Sequence, residues 1–133
     1  MSLTHGEIAL ISEVAQNPSQ WVGKTIRVVG LLNHYDMTHD IAVVEQVSRL
    51  IIDTKLLGNF GYHLGSTLML IGDVEELEDK SNLPDMLRQS SQKCTPIVRA
   101  RIARCADGLD LSLYQTALDI RRDFEKQWSE ARV

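Results

Sequence analysis

The sequence predicts an all-β fold in which five strands close a small barrel and one C-terminal helix follows. Five segments between residues 25 and 106 are rich in β-branched and other apolar residues, and two of them contain a glycine. The residues from 110 onward instead carry apolar side chains at helical spacing. A chain of 133 residues is long enough for one domain and too short for two. We therefore expect a single domain, divided into a leader over 1–24, a barrel over 25–106 and a helix over 110–131.

The leader and the first strand are separated by a proline and a short loop. Residues 2–24 predict a short extended segment and one helical turn, with Ser12 as its cap. Pro18 ends this turn, because the residue before a proline avoids the α region. The first strand covers 25–35, and Gly30 in its middle predicts a bulge or sharp bend, as a strand shared by two sides of a barrel requires.

Three further elements follow in close succession. Segments 41–47 and 49–57 predict two strands joined by a very short turn, which is typical of a hairpin. Residues 58–65 contain three glycines and no periodicity, so an irregular crossover or a short helix is expected there. The fourth strand covers 67–77 and is interrupted by Gly72.

A long polar connection precedes the fifth strand. Residues 78–95 contain Pro84 and predict a loop, in which 84–89 could form one helical turn. The fifth strand covers 96–106. Within it, residues 98–102 alternate between apolar and basic side chains, which predicts a half-buried strand.

The helix from residue 110 onward has the clearest pattern in the chain. Asp110 or Ser112 can cap it. Its apolar residues recur three and four positions apart and form one stripe, namely Leu113, Ala117, Ile120, Phe124 and Trp128. Five strands, an irregular link between the third and fourth, and a terminal helix fit the OB-fold, a closed barrel that binds oligonucleotides. An SH3-like barrel has a similar strand count but lacks the long helical tail.

Composition excludes several classes of protein. No apolar run approaches the ~20 residues that span a bilayer, and the N-terminus has no secretory pattern, so no membrane partner is expected. Cys94 and Cys105 are too few for a disulfide framework and are expected to be reduced thiols of an intracellular protein. CxxC and HxxxH are absent, so neither a metal nor a cofactor is expected. The net charge of −4 argues against strong autonomous binding of nucleic acid.

Four segments resemble a known family, the Ten-one subunit of the telomere-capping CST complex. They are IRVVGLLNHYD, LIIDTKLL, LMLIGDVE and VRARIARCADGLDLSLYQTALDIRRDFE. The most specific features are the Tyr-Asp that ends the first strand, the Thr-Lys-Leu after the third, and a Val-x-Ala-Arg strand that runs into Cys-x-x-Gly-Leu-x-Leu. The resemblance covers about residues 25–125, apart from 78–95.

The resemblance implies a non-enzymatic OB-fold subunit that acts in the nucleus, at the telomeric region of chromosomes. It implies a heterodimer with the middle subunit of CST, itself an OB-fold protein, in which the C-terminal helices pack together much as in the two smaller subunits of replication protein A. Eight residues are expected to face this partner, from the motif and from the helix stripe: Arg27, Leu109, Leu113, Tyr114, Ile120, Arg121, Phe124 and Trp128.

The length of the helix supports a partner on physical grounds. A barrel of this size is roughly 20–25 Å across, whereas a helix over 110–131 runs about 30 Å. The last two turns should therefore extend beyond the barrel, and Phe124 and Trp128 would be exposed unless another protein covers them. For Leu113 and Ala117, nearer the start, packing on the chain's own barrel is the expected role.

Candidate nucleic-acid contacts are few. Arg99 and Arg101 lie on one side of the fifth strand and Lys55 elsewhere on the barrel; they either contact phosphates or pair with carboxylates. The aromatic residues available to stack on bases are also core candidates, namely Tyr35, Phe60 and Tyr62. Four carboxylates at the start of the fourth connection should repel phosphate: Glu75, Glu76, Glu78 and Asp79. We expect single-stranded DNA to bind weakly, or only within the complex.

A catalytic or metal site is considered around the first turn, where His34, His39, Asp36 and Asp40 cluster. An aspartate at a turn usually binds its own backbone, and the sequence lacks a nucleophile elbow, a phosphate loop and a dinucleotide fingerprint. An enzyme is therefore not expected. The alternative to the CST subunit is a replication protein A-like or other OB-fold subunit that binds single-stranded nucleic acid on its own.

Overall fold

The barrel and the C-terminal helix are described by a computed structural model, which covers residues 6–77 and 95–131, with side chains to Trp128. The predicted loop over 78–95 and its helical turn at 84–89 lie outside these residues, except for Thr95. The elements are β1 (Glu7–Ile8), α1 (Ile11–Gln16), α2 (Pro18–Trp21), β2 (Thr25–Asp36), β3 (Ile41–Gln46), β4 (Ser48–Asp53), the 3₁₀ turn η1 (Lys55–Leu57), β5 (Thr67–Glu76), β6 (Pro96–Cys105) and α3 (Leu111–Ala131).

Strands β2 to β6 close the predicted five-stranded barrel. The sheet order is β1-β2-β3-β4-β6-β5, and β5 pairs back onto β2. The β4–β6 pair is parallel, whereas the other pairs within the barrel are antiparallel. The short strand β1 adds to β2 in parallel. This closed barrel followed by a helix confirms the all-β OB-fold expectation.

β2 serves both sides of the barrel, as its central glycine predicted, but the bulge is elsewhere. β2 pairs with β5 from Thr25 to Leu31 and with β3 from Leu31 onward, and its register shifts between Leu32 and His34. The bulge expected at Gly30 is therefore displaced by a few residues. Gly30 instead permits close packing, because a Cβ there would lie 2.5 Å from Ile11 Cδ1 of α1.

A second bulge changes the face on which β6 side chains lie. The β5–β6 register shifts at Gly72, which leaves Arg101 as the extra residue of β6. A Cβ on Gly72 would overlap the carbonyl oxygen of Arg99, so glycine is required here. The predicted alternation holds up to Arg101 and fails at Ile102, which is exposed, while Ala103 packs against the core.

The third predicted strand is shorter than expected. β4 ends at Asp53, and the Asp53 carboxylate accepts the Lys55 backbone N–H at 3.0 Å, which turns the chain into η1. The expectation of a strand to residue 57 was therefore wrong, because the apolar run Leu56–Leu57 belongs to a 3₁₀ turn. Residues 58–65 contain neither helix nor strand, as the irregular crossover predicted.

The leader packs onto the barrel. α1 begins after Leu10, whose backbone N–H donates to the Glu13 carboxylate at 2.8 Å. Ser12 lies inside the helix, so its predicted capping role was wrong. Ile11 and Val14 are buried in the main core, where they cover the barrel interior. The largest fully buried side chains of that core also include Ile26, Val28, Leu32, Val44, Leu50, Ile52, Leu68 and Leu70.

Candidate functional site

The C-terminal helix is anchored to the barrel at its first turn. The Leu113 backbone N–H donates to Asp110 Oδ1 at 3.1 Å, which identifies Asp110, rather than Ser112, as the cap. Just before it, the Asp107 carboxylate accepts the Thr67 backbone N–H at 2.7 Å. This hydrogen bond holds the pKa of Asp107 below its ordinary value. The orientation of α3 is thus fixed from the end of β6.

One face of α3 docks against the leader through residues spaced four apart. Leu118 is only 7% exposed, and Tyr114 is half-buried, which raises the pKa of its phenol. Arg122 donates to the Glu13 carboxylate at 2.7 Å and to the Ile8 carbonyl oxygen at 2.8 Å. The docked face therefore combines one buried leucine with one guanidinium that joins α3 to β1 and α1.

A neighbouring face of α3 carries the apolar stripe, which lies in solvent along its whole length. Leu113, Ile120, Phe124 and Trp128 are 58–65% exposed, and Ala117 between them is also exposed. The Phe124 and Trp128 rings are stacked, with centroids 6.3 Å apart. Large contiguous apolar patches of this kind mark interaction surfaces.

The exposure of Leu113 and Ala117 differs from the prediction that they pack on the barrel. The reason is rotational: Tyr114, Leu118 and Arg122 face the leader, and a residue one position away lies roughly 100° around the helix axis. The whole stripe is thus directed away from the barrel, and the overhang of the last turns is not what exposes it. Phe124 and Trp128 are exposed, as expected.

The other predicted partner residues occupy two places. Arg27 and Arg121 line a cleft of about 690 Å³ between the leader and α3, together with Trp21 and Leu118. The Arg27 Nε is buried and has no hydrogen-bond partner among the described residues, while Arg121 forms an ion pair with Glu125 at 3.0 Å.

Tyr114 lies within electrostatic reach of Arg27. Leu109 is partly exposed in the turn before α3, at the other end of the helix.

The predicted basic residues on β6 are matched by carboxylates. Arg99 lies 3.2 Å from Glu75 Oε1 and 3.8 Å from Asp53 Oδ2. Arg101 donates to Asp73 Oδ1 at 3.1 Å. Both arginines are thus partly neutralised, which is the arrangement of ordinary surface ion pairs. Lys55 is exposed at the start of η1 and has no ion-pair partner among the described residues.

The candidate stacking residues pack against one another. The Phe60 ring centroid lies 4.5 Å from that of Tyr35 and 5.1 Å from that of Tyr62, and Phe60 is buried. The Tyr62 hydroxyl donates to the Ala103 carbonyl oxygen at 2.9 Å. Tyr35 and Tyr62 are partly buried against the main core. The three rings therefore pack against one another and against the main core, and these contacts cover much of the surface that could stack on bases.

The histidine and aspartate cluster ties down its own turn. The Asp36 carboxylate accepts the Thr38 backbone N–H at 2.9 Å and lies 2.7 Å from His39 Nδ1. The hydrogen bond with His39 lowers the pKa of Asp36. Within residues 6–77 and 95–131, no group of three or more His, Cys, Asp or Glu is placed to hold a metal ion. The side chains of Asp36 and His39 are thus hydrogen-bonded within their own turn.

The docked face was missed by sequence reasoning, although a signal for it exists. Tyr114, Leu118 and Arg122 are four residues apart, which is the spacing of one helical face. The neighbouring face is more apolar, because it carries Leu113, Phe124 and Trp128, and its pattern is therefore the stronger signal. The partner of Arg122 is Glu13, 109 positions earlier, so no local pattern could reveal the contact.

Comparison with known proteins covers nearly the whole chain. The model of a family described as "Telomere-capping, CST complex subunit" matches residues 2–128. The CST complex subunit TEN1 of Mus musculus is 30% identical over 111 residues, which cover 79% of this chain and 60% of the mouse protein. The chain thus spans about three fifths of that relative's length.

Two solved structures share the fold at low sequence identity. The Stn1–ten1 complex of S. pombe contains a chain that superposes with a TM-score of 0.62 at 16% identity, covering 87% of this chain and 90% of that one. Replication protein A of U. maydis bound to single-stranded DNA gives a TM-score of 0.57 at 16% identity, covering 93% and 97%. These likenesses establish an OB-fold. Since the family model matches almost every residue described above, the chain belongs to the family of telomere-capping CST complex subunits.

Proposed function

We propose that this chain is the small OB-fold subunit of a CST-type complex, which pairs through α3 with a Stn1-like middle subunit to cap and maintain chromosome ends in the nucleus. The observation that carries the proposal is the apolar stripe, whose four large side chains are more than half exposed. The name of the mouse relative and the S. pombe Stn1–ten1 complex indicate the partner.

The stripe has the dimensions of a helix-packing surface. From Leu113 to Trp128 it extends about 22 Å at 1.5 Å per residue. Burying each large apolar side chain contributes on the order of 1.5–3 kcal/mol. Aromatic anchors such as Phe124 and Trp128 are the side chains that most often dominate binding energy. A second helix along this stripe would therefore supply much of the affinity of a heterodimer.

The proposed role is non-enzymatic and independent of membranes. In the histidine–carboxylate cluster considered for chemistry, Asp36 and His39 are hydrogen-bonded within their own turn. No helix among the described residues is long and apolar enough to cross a bilayer. The cleft around Arg27 adjoins the docked face of α3, so Arg27, Tyr114 and Arg121 would form the edge of the same interface, with Leu109 at its other end.

A single substitution tests the interface. We expect Phe124→Ala to cost at least about 2 kcal/mol of affinity for the Stn1-like partner, roughly thirtyfold in Kd, because it removes a central aromatic anchor. Titration calorimetry or pull-down with the purified partner measures the loss. Circular dichroism should show an unchanged barrel, since the ring is exposed.

The matched control is Met37→Ala, which truncates an exposed apolar side chain in the β2–β3 turn, far from α3 in the sequence. It should leave the affinity unchanged. Normal binding by the Phe124→Ala variant would refute the assignment of the stripe as the interface.

Single-stranded DNA should bind weakly to the isolated chain and contribute only within the complex. Arg99 and Arg101 are paired with carboxylates, and the rings of Tyr35, Phe60 and Tyr62 pack internally. Affinity from phosphate contacts and base stacking is therefore small. Fluorescence anisotropy with a telomeric oligonucleotide measures it. Nanomolar, salt-sensitive binding by the chain alone would instead support the alternative, an independent replication protein A-like subunit.

A further inference from the structure

A second candidate binding surface, of mixed apolar and basic character, lies where β6 separates from β4, and none of its lining residues belongs to α3. The parallel β4–β6 pairing ends at Asp53 and Arg99. Beyond Arg99, the edge of β6 that paired with β4 faces η1 and the crossover over 58–65, while the other edge stays paired with β5. The two sides form a groove of about 410 Å³, within the range of roughly 300–1,000 Å³ that ligand pockets occupy.

Four of the eight residues that line this groove are aliphatic, and the other four are Asn59, Tyr62, Arg101 and Arg104. Leu56 of η1 is 58% exposed, and Ile102 of β6 is 37% exposed because the bulge at Arg101 directs it outward. Leu57 and Ala103 complete the apolar lining. Tyr62 also lines the groove, but its hydroxyl is held by the Ala103 carbonyl oxygen. The groove therefore offers several small apolar contacts and little aromatic surface.

Basic side chains flank this lining. Arg101 and Arg104 line the groove, and Lys55 opens η1 directly before Leu56. Arg101 is paired with Asp73, whereas neither Arg104 nor Lys55 has an ion-pair partner within the described residues. A positive rim on a chain of net charge −4 is a local feature, and it is complementary to an acidic ligand.

We propose that this groove binds a short extended segment of a partner protein in which aliphatic side chains alternate with carboxylates. Four strand residues, Arg101 to Arg104, line it and span about 13 Å, the length of about four extended residues. Alternate side chains of such a segment enter the groove, while the long side chains of Arg104 and Lys55 reach its carboxylates. The aliphatic lining disfavours single-stranded nucleic acid, which needs aromatic faces for its bases.

The probe for this proposal is a fluorescein-labelled peptide of alternating glutamate and leucine, about eight residues long. Fluorescence anisotropy against the full chain should show binding that Arg104→Glu weakens at least about tenfold, because the substitution reverses an unpaired rim charge. Raising the salt from about 0.05 M to about 0.5 M should weaken it as well. Chemical-shift changes in NMR spectra should centre on Leu56 and Ile102.

Two matched variants locate the binding. Lys126→Glu makes the same charge reversal on exposed α3, and Phe124→Ala truncates the apolar stripe. Both should leave the peptide affinity within about twofold of the wild type, since neither residue lines the groove. Thermal melting of each variant confirms that the fold is retained.

Four results would overturn the proposal. They are no binding of the acidic peptide, equal binding of a lysine–leucine peptide, an affinity insensitive to Arg104→Glu, and loss of binding in Phe124→Ala, which would place the peptide on the stripe. Tighter binding of a short oligonucleotide, abolished by Arg104→Glu, would assign the groove to nucleic acid and reject it as a peptide site.

Discussion

The barrel and the C-terminal helix bury their apolar residues in opposite ways. The large side chains inside β2 to β6 are almost fully covered by their own chain, with exposures of 0% at Ile26 and 1% at Leu70. Among the described side chains of α3, only Leu118 is covered to a similar degree, and the four large residues of the apolar stripe are exposed. The barrel sequence is therefore explained by its own folding, whereas the folding of the described chain does not explain the stripe, which is the surface proposed above for binding.

A matched pair of leucines gives the largest expected difference. Leu70→Ala removes a fully buried side chain and should lower the free energy of unfolding by about 2–5 kcal/mol, through lost burial and a residual cavity. Leu113→Ala makes the same chemical change on the stripe and should alter stability by at most about 0.5 kcal/mol. Urea denaturation of the isolated chain measures both.

The same pair should reverse its ranking when binding is measured. Leu113→Ala should weaken the complex with the Stn1-like subunit, whereas Leu70→Ala, if folded, should not. A Leu113→Ala variant as destabilised as Leu70→Ala would show that the stripe is covered by its own chain, and the contrast between the two regions would be lost.

A smaller effect is expected at the junction of the two regions and depends on pH. The Thr67 N–H lowers the pKa of Asp107 in the folded chain from an ordinary value of 3.8. The carboxylate therefore contributes stability that is fully present above pH 3.8, and it is lost as the pH falls through the lowered pKa.

Replacing this carboxylate sharpens the test. Asp107→Asn should be less stable than the wild type at pH 7, and the difference should shrink at pH values below the lowered pKa. Asp119→Asn, on the exposed side of α3, is the control and should show no such convergence. Urea denaturation of the wild type and both variants, at pH 7 and below the lowered pKa of Asp107, measures the differences in the free energy of unfolding. A difference independent of pH would mean that the charge of Asp107 does not act through the Thr67 hydrogen bond.

The barrel could be predicted because its signals are local. Alternation and β-branched residues located five strands, and a central glycine indicated that β2 and β5 are strands with irregular pairing. The position of each bulge could not be predicted, since it depends on which residue faces the glycine from another strand. Arg101 becomes the extra residue only because Gly72 approaches Arg99 on the neighbouring strand.

The candidate site was predicted only in part, because part of it depends on contacts between segments that are distant in the sequence. The spacing of Phe124 and Trp128 identified an apolar face, but spacing alone cannot say which face of a helix meets the barrel. That choice is made by Leu118 and by Arg122, whose acceptors lie on β1 and α1. The groove between β6 and η1 could not be predicted either, because strict alternation along β6 places Ile102 in the barrel interior.

The ion pair between Glu13 and Arg122 also sets an order of events during synthesis. The two residues are 109 positions apart, and every barrel strand lies between them. The ribosome must therefore deliver all of the strands before this contact can form, and closing so long a loop is entropically costly unless the strands have already paired. The apolar stripe of α3 thus emerges after every barrel strand, beside a nearly finished barrel, which shortens the time in which it can bind a wrong partner.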